Sequence, residues 1–147
     1  MAKNKPQFLV IHHSLTKKSP SPKTWEAVNR YHKTKFNFPS SLGLYIGYHY
    51  WIEDSGRIIQ ARLDTDVGAH CKEQSMNFKS LGICLEGNFD IEIPNPVQIY
   101  ALRDLMKKLC ATYKIPKENI MFHRDYATYK SCPGLKMKRD FIRKLIK

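Results

Sequence analysis

Three residues of this chain, His12, His123 and Cys132, have side chains that commonly bind zinc in proteins. Two neutral imidazoles and a thiolate occupy three positions of a tetrahedral zinc ion and leave the fourth position open. An open position is typical of catalytic zinc, because a water molecule or a substrate carbonyl group binds there. A single histidine is more often structural, so the hypothesis depends on whether the fold brings these three residues together.

Apolar segments precede both histidines. Residues 8–11 are apolar and lead directly into His12, and residues 120–122 lead directly into His123. Short, continuous apolar runs are typical of buried strands. We therefore expect each histidine at the carboxyl end of a strand. Cys132 lies in the loop that follows His123, and this loop can fold back over the strand ends.

His13 is the alternative to His12 as a ligand. Successive side chains of a strand point to opposite faces, so only one of these adjacent histidines can face the other two ligands. A shift of the strand register by one residue would exchange their roles.

The rest of the sequence alternates between strand and helix patterns. Residues 14–23, with Pro20 and Pro22, predict a loop, and Asn95-Pro96 is typical of a helix start. The other predicted elements are a helix that ends near residue 33, a hairpin of strands at 48–52 and 57–60, a central strand at 80–87, and helices at 96–113 and 137–146. This alternation predicts an α/β fold, in which a single domain over residues 1–147 has a central mixed β-sheet flanked by helices. Strand ends of such sheets line a common rim, where we expect the zinc site.

The chain carries a large positive charge. It has 25 Lys and Arg residues against 13 Asp and Glu residues, which gives a formal net charge of +12 at pH 7. Such an excess favours a polyanionic partner such as nucleic acid, anionic lipid or anionic cell-wall polymer, although many lysines on helices only face solvent. No apolar run approaches the roughly 20 residues of a membrane-spanning helix. We therefore expect a soluble protein. We also expect a monomer.

The four cysteines lack close CxxC spacing, which favours reduced thiols rather than a disulfide framework. Cys84 and Cys110 fall within a predicted strand and a predicted helix, so we expect both in the core. Cys71 follows His70, but adjacent side chains of an extended segment point apart, which argues against a second metal site. The basic N-terminal residues are not followed by the longer apolar segment of a secretion signal. These features predict a cytoplasmic protein without a signal peptide.

Five short motifs, in this order along nearly the whole chain, resemble one known family. They are Val10-Ile11-His12-His13-Ser14, Gly47-Tyr48-His49-Tyr50, Val67-Gly68-Ala69-His70, Leu81-Gly82-Ile83-Cys84-Leu85-Glu86-Gly87, and His123 to Gly134 with its Lys-x-Cys-Pro-Gly ending. Together they resemble the type 2 N-acetylmuramoyl-L-alanine amidases, which include T7-type phage lysozymes and peptidoglycan recognition proteins. Each motif is weak alone, but the series is specific.

The resemblance implies an enzyme with one Zn²⁺ ion, bound by His12, His123 and Cys132. Its implied reaction is hydrolysis of the amide between the lactyl group of N-acetylmuramic acid and the L-alanine of the peptidoglycan stem peptide. A cysteine rather than an aspartate at position 132 resembles the phage and recognition-protein branch more than the recycling branch.

The resemblance also implies roles for residues around the metal. Tyr48 and Lys130 match the two residues that assist catalysis in the phage enzymes. A lysine held near the metal can stabilise an oxyanion, and a tyrosine hydroxyl can orient water or carry its proton. Glu86 is the alternative proton carrier. Three histidines match family positions near the substrate groove: His32, His49 and His70. Each either contacts the substrate or is a hydrogen-bonded structural residue.

The leading functional hypothesis is a phage or prophage endolysin for host cell lysis. Such an enzyme would be made in the host cytoplasm and would reach the wall after release. Its partner is peptidoglycan, and its basic surface would bind anionic wall polymer or outer-membrane lipid. One alternative is a non-catalytic peptidoglycan-binding recognition domain, which typically lacks a zinc ligand. Another is a lysozyme-type inhibitor of a phage RNA polymerase, although the charge supports nucleic-acid-related binding only weakly.

Overall fold

A five-stranded mixed β-sheet forms the centre of the protein, in a computed structural model that describes residues 2–16 and 24–146. Its strand order is β3-β2-β4-β1-β5. β1 is parallel to β4 and β5, β2 is parallel to β4, and β3 is antiparallel to β2. The strands are β1 (Phe8–His13), β2 (Tyr50–Ile52), β3 (Ile58–Gln60), β4 (Ser80–Leu85) and β5 (Ile120–Phe122). The predicted mixed sheet and the predicted hairpin are confirmed.

Helices flank this sheet as predicted. They are α1 (Thr24–Lys35), α2 (Pro96–Tyr113) and α3 (Arg139–Lys144), together with 3₁₀ segments at Glu73–Phe78, Lys117–Asn119 and His123–Asp125. Asn95 caps α2 by accepting a hydrogen bond from the Gln98 N–H at 2.9 Å, which explains the confirmed start at Pro96. α3 is shorter than predicted. Of the predicted loop 14–23, residues 17–23 lie outside the described residues.

The main core lies between one face of the sheet and α2. Leu9 and Ile11 of β1 point into it, whereas Val10 points to the opposite face, where it packs with Cys71 and Met76. This alternation separates the two adjacent histidines as predicted, since the Nδ1 atom of His13 accepts a hydrogen bond from the Phe89 N–H on the core side. His12 lies on the other face of the strand.

The strand register positions the site. In the parallel β1–β5 pair, Ile11 lies opposite Phe122, so the next residues, His12 and His123, are neighbours at the carboxyl edge of the sheet. Cys84 of β4 lies opposite His12 on its other side. The strand ends therefore share one rim, as the sequence predicts for an α/β sheet.

Strands β2 and β4 are shorter than the sequence predicts. β2 begins at Tyr50, so Tyr48 precedes the strand, and β4 ends at Leu85. Cys84 is fully buried as expected, whereas Cys110 is only partly buried at the edge of the core. Among the helices of the described residues, none has the length and apolar character needed to cross a membrane.

Candidate metal centre and active site

The fold brings together the three predicted metal ligands. One ligand atom each from His12, His123 and Cys132 lies within 4.8 Å of the others, and all three residues are buried. The Cys132 Sγ atom is 3.6 Å from His12 Nδ1. In a tetrahedral zinc site, sulfur and nitrogen ligands are about 3.6 Å apart, given Zn–S and Zn–N bonds of about 2.3 and 2.0–2.1 Å. The donor set and its spacing therefore fit a zinc ion.

A single arginine holds the loop that carries Cys132. The Arg124 guanidinium donates hydrogen bonds to the carbonyl oxygens of Ser131, Gly134 and Met137, at 3.2, 2.7 and 2.8 Å. The Arg124 N–H also donates to the Cys132 carbonyl oxygen at 2.9 Å. These bonds fold the loop back over the strand ends. Sequence reasoning missed this residue, although its position directly after a predicted ligand was a usable signal.

Burial keeps both histidine ligands neutral at pH 7. It lowers the pKa of His12 well below 6.5, and it lowers the pKa of His123 to about 4, with Lys130 adding to the effect. Burial also raises the pKa of Cys132 to about 12, and the His13 N–H, which donates to Sγ at 3.4 Å, lowers it in part. A bound cation displaces the proton of such a thiol, because the thiolate is the ligand form.

Tyr48 lies against the candidate metal centre. Its ring centroid is 4.9 Å from that of His12. The residue is partly exposed, but burial of its hydroxyl group, near the thiols of Cys84 and Cys132, raises its pKa well above 10. The hydroxyl therefore keeps its proton even well above neutral pH and can donate a hydrogen bond. Cys84 was expected only as a core residue, but its thiol lies beside the Tyr48 hydroxyl at the site.

Lys130 stands at the junction of two cavities. A cavity of about 350 Å³ is lined by the three ligands together with Tyr48 and His32, and Lys130 lies on its wall. A second cavity of about 410 Å³ lies on the other side of His123 and also includes Lys130. Lys130 is exposed, and its charge lowers the pKa of both histidine ligands, which places its ammonium group near them.

The three further histidines occupy different positions. His32 lines the cavity of the metal centre, and its Nδ1 atom accepts a hydrogen bond from the Gly47 N–H at 2.9 Å. His70 lines the second cavity and contacts His12, with its Nδ1 atom 2.9 Å from His12 Nε2. His49 is 0% exposed, accepts from the Gly82 N–H and donates to the Asp66 carbonyl oxygen. Both ring nitrogens of His49 are bonded to backbone groups, which favours the structural one of its two expected roles.

Glu86, the alternative proton carrier, is bonded to backbone outside the two cavities. This residue is buried, and its Oε1 atom accepts a hydrogen bond from the Asp54 N–H at 2.8 Å. It lines neither cavity beside His123. The Glu86 Oε1 atom therefore holds the turn between β2 and β3, which argues against a role as proton carrier at the metal centre.

His123 belongs to a second group of possible ligands, which the sequence did not predict. Its Nε2 atom lies 4.0 Å from Glu73 Oε1, which in turn lies 3.8 Å from Cys71 Sγ. Lys72 and Lys130 line the same cavity. Lys72 lines only this second cavity, and its positive charge opposes a cation there, so the group containing Cys132 is the better metal site.

Comparisons with known proteins agree with this geometry. The profile of a family described as N-acetylmuramoyl-L-alanine amidase, Amidase_2, matches residues 2–135. The chain is 24% identical over 131 residues to peptidoglycan-recognition protein SC1a of Drosophila melanogaster. This match covers 86% of this chain and 67% of that protein. It is also 26% identical over 130 residues to an N-acetylmuramoyl-L-alanine amidase of Sus scrofa, but this match spans only 21% of that protein.

Solved structures show the same fold. N-acetylmuramoyl-L-alanine amidase LysC from Clostridium intestinale URNW aligns with a TM-score of 0.78 and 28% identity, over 96% of this chain and 85% of that chain. The Ph2119 endolysin of a Thermus scotoductus MAT2119 bacteriophage aligns with a TM-score of 0.75 and 23% identity, over 97% and 85%, a similarity of fold. The family profile covers most of the chain, and on that ground the chain belongs to the N-acetylmuramoyl-L-alanine amidase family.

Proposed function

We propose that this protein is a zinc-dependent N-acetylmuramoyl-L-alanine amidase, which hydrolyses the amide between N-acetylmuramic acid and L-alanine in peptidoglycan. The observation that carries this proposal is the convergence of His12, His123 and Cys132 on the cavity that also contains Tyr48 and Lys130. A non-catalytic recognition domain would need neither a complete ligand set nor these two groups beside it.

The proposed metal supplies the chemistry that amide hydrolysis needs. When bound, a zinc ion acts as a Lewis acid on the amide carbonyl and lowers the pKa of a water molecule to about 7. The two neutral imidazoles and the thiolate would leave one net positive charge at the site, and the burial of the three ligands strengthens its electrostatic effect.

Tyr48 and Lys130 line the cavity in which the amide would bind. The protonated Tyr48 hydroxyl, held beside the His12 ring, orients the attacking water or passes a proton towards the leaving amine. The Lys130 ammonium, near both histidine ligands, stabilises the negative charge that develops on the amide oxygen. His32 lines the same cavity and contacts the substrate.

The biological role that we propose is that of a phage or prophage endolysin, in which residues 1–147 act as one catalytic domain. Its net charge of +12 would hold it on an anionic wall polymer or on outer-membrane lipid. The LysCS endolysin of Clostridium intestinale URNW, 26% identical with a TM-score of 0.78, supports this role by similarity.

Digestion of purified peptidoglycan tests the activity. The zinc-loaded protein is expected to release glycan strands and peptides with new L-alanine amino termini. The Cys132→Ser variant, treated with the same zinc concentration, is the control and is expected to release none. Absence of new termini with the fully loaded wild-type protein would overturn the proposal.

A further inference from the structure

His70 forms a hydrogen-bonded connection between the ligand His12 and the backbone beneath the site. His70 Nδ1 lies 2.9 Å from His12 Nε2, and His70 Nε2 lies 3.3 Å from Ser80 Oγ. Ser80 is 0% exposed, and its hydroxyl is 2.7 Å from the Met76 carbonyl oxygen. Every polar atom in this series therefore has a neighbour within hydrogen-bond distance.

The direction of each hydrogen bond follows from the one group that can only accept. The Met76 carbonyl oxygen accepts, so the Ser80 hydroxyl donates its single proton there, at a distance typical of O–H···O bonds. Ser80 Oγ then accepts from His70 Nε2–H. A neutral His70 with a proton on Nε2 has a free lone pair on Nδ1, which accepts from His12 Nε2–H. His12 Nδ1 is left unprotonated, 3.6 Å from Cys132 Sγ.

Two glycines provide the space for the His70 ring. A Cβ atom built on Gly82 would lie 2.7 Å from His70 Cγ, and a Cβ atom built on Gly68 would lie 2.5 Å from His70 Cδ2. Neither contact is sterically possible, so any larger residue at either position would displace the ring. The ring is thus fixed by packing as well as by its two hydrogen bonds.

We propose that His70 is a positioning residue, which with Ser80 and the Met76 carbonyl fixes His12 as the Nε2–H tautomer and presents its Nδ1 lone pair to the metal. This proposal rests on the proposed function, in that His12 is taken as a metal ligand. It replaces the expected substrate contact by His70. A hydrogen-bond partner on the second ring nitrogen is a general feature of metal-binding histidines, and its loss typically weakens metal affinity by about 10- to 100-fold.

Nitrogen NMR of the metal-free protein, labelled with ¹⁵N-histidine, tests the tautomers directly at pH 7. We expect the proton of His12 and that of His70 on Nε2. The Ser80→Ala variant removes the acceptor of the His70 Nε2–H bond but keeps the His70 ring. In this variant we expect His70 to show a mixture of tautomers. A His12 proton on Nδ1, or unchanged spectra in Ser80→Ala, would overturn the proposal.

Zinc affinity, measured by competition with a chelator, tests the consequence. His70→Ala is expected to bind zinc about 10- to 100-fold more weakly, whereas His70→Asn, whose amide oxygen can replace Nδ1 as acceptor, should remain close to the wild type. Lys72→Ala, an exposed substitution at the same cavity, is the control. Equal affinities of His70→Ala and the wild type, or equal losses in His70→Ala and His70→Asn, would contradict the proposed role.

These readouts separate the two proposals. The expected tautomers and affinities together with an inactive zinc-loaded enzyme would overturn the amidase function alone. Zinc-dependent amidase activity together with the opposite tautomer of His12 would overturn the positioning role alone.

Discussion

The Sγ atom of Cys132 lies 3.6 Å from the Nδ1 atom of His12, although the two residues are separated by most of the sequence. Two features create this proximity. The parallel register of β1 and β5 brings His12 beside His123 at the sheet edge, and Arg124 folds the following loop back over that edge. A sheet edge and a clamped loop thus produce a preorganised ligand set.

Cys132→Ser is expected to abolish zinc binding and amidase activity together, because a serine hydroxyl does not replace a thiolate ligand at neutral pH. Cys110→Ser is the matched control, since Cys110 is a partly buried thiol at the edge of the core. Zinc content by elemental analysis and release of L-alanine amino termini are the two measurements. Zinc retained at wild-type affinity in Cys132→Ser would exclude Cys132 as a ligand.

Tyr48→Phe is expected to keep zinc but to lower kcat by about 10²- to 10⁴-fold, the usual contribution of a positioned proton carrier. Glu86→Gln is the contrasting variant. Because Glu86 accepts from the Asp54 N–H outside the cavity, it should keep near-normal kcat. Steady-state kinetics on a soluble muropeptide distinguishes them, and the reverse pattern would show that the roles are assigned wrongly.

Arg124→Lys is expected to lower both stability and zinc affinity. A lysine cannot bind all three carbonyl oxygens that the guanidinium binds. A fully buried carbonyl that loses its partner costs about 1–3 kcal/mol, which is an upper bound for each of these partly buried groups. Arg103→Lys, on the surface of α2 beside Asp104, is the control and should change neither property. Urea unfolding of the metal-free proteins and chelator competition measure the two effects. If Arg124→Lys has the stability and the zinc affinity of the wild type, Arg124 does not hold the loop in the proposed way.

The metal-free protein should lose stability as the pH falls from about 6.5 to about 4. Burial lowers the pKa of His49 to about 4 from 6.5, so in this window the unfolded chain binds a proton that the folded chain does not. The lost stability approaches about 1.4 kcal/mol per pH unit for one such histidine. His49→Gln should flatten the dependence of unfolding free energy on pH in part. A wild-type curve that is flat between pH 7 and 5 would contradict the assignment.

Salt should inhibit lysis of whole cells more than hydrolysis of a soluble muropeptide. The net charge of +12 attracts an anionic surface, and salt screens that attraction over a Debye length of about 8–10 Å. The ratio of the two rates at low and high ionic strength is the measurement. Equal inhibition of both reactions would remove the proposed role of the charge.

The sequence was sufficient for the parts of the site that depend on local pattern. Apolar runs before His12 and His123 predict strand ends, and strict alternation separates His12 from His13. The series of motifs then supplies the family, which is confirmed. These inferences succeed because strand identity and side-chain direction are local properties.

The parts of the site that the sequence left open or missed depend on contacts between distant segments. His49 and Glu86 have side chains that can bind substrate or carry a proton. In the fold, however, they accept hydrogen bonds from the Gly82 N–H and the Asp54 N–H. Arg124 looked like one basic residue among 25 Lys and Arg residues, and only the folded loop shows its three carbonyl partners. Such partners cannot be deduced from spacing along one chain.

Metal analysis combined with mass spectrometry of a defined peptidoglycan digest tests the zinc-dependent amidase activity most directly. We expect one zinc ion per chain, cleavage only between N-acetylmuramic acid and L-alanine, and loss of both in Cys132→Ser. A zinc-loaded protein that leaves this bond intact, or cleaves a glycosidic or peptide bond instead, would contradict the proposed activity.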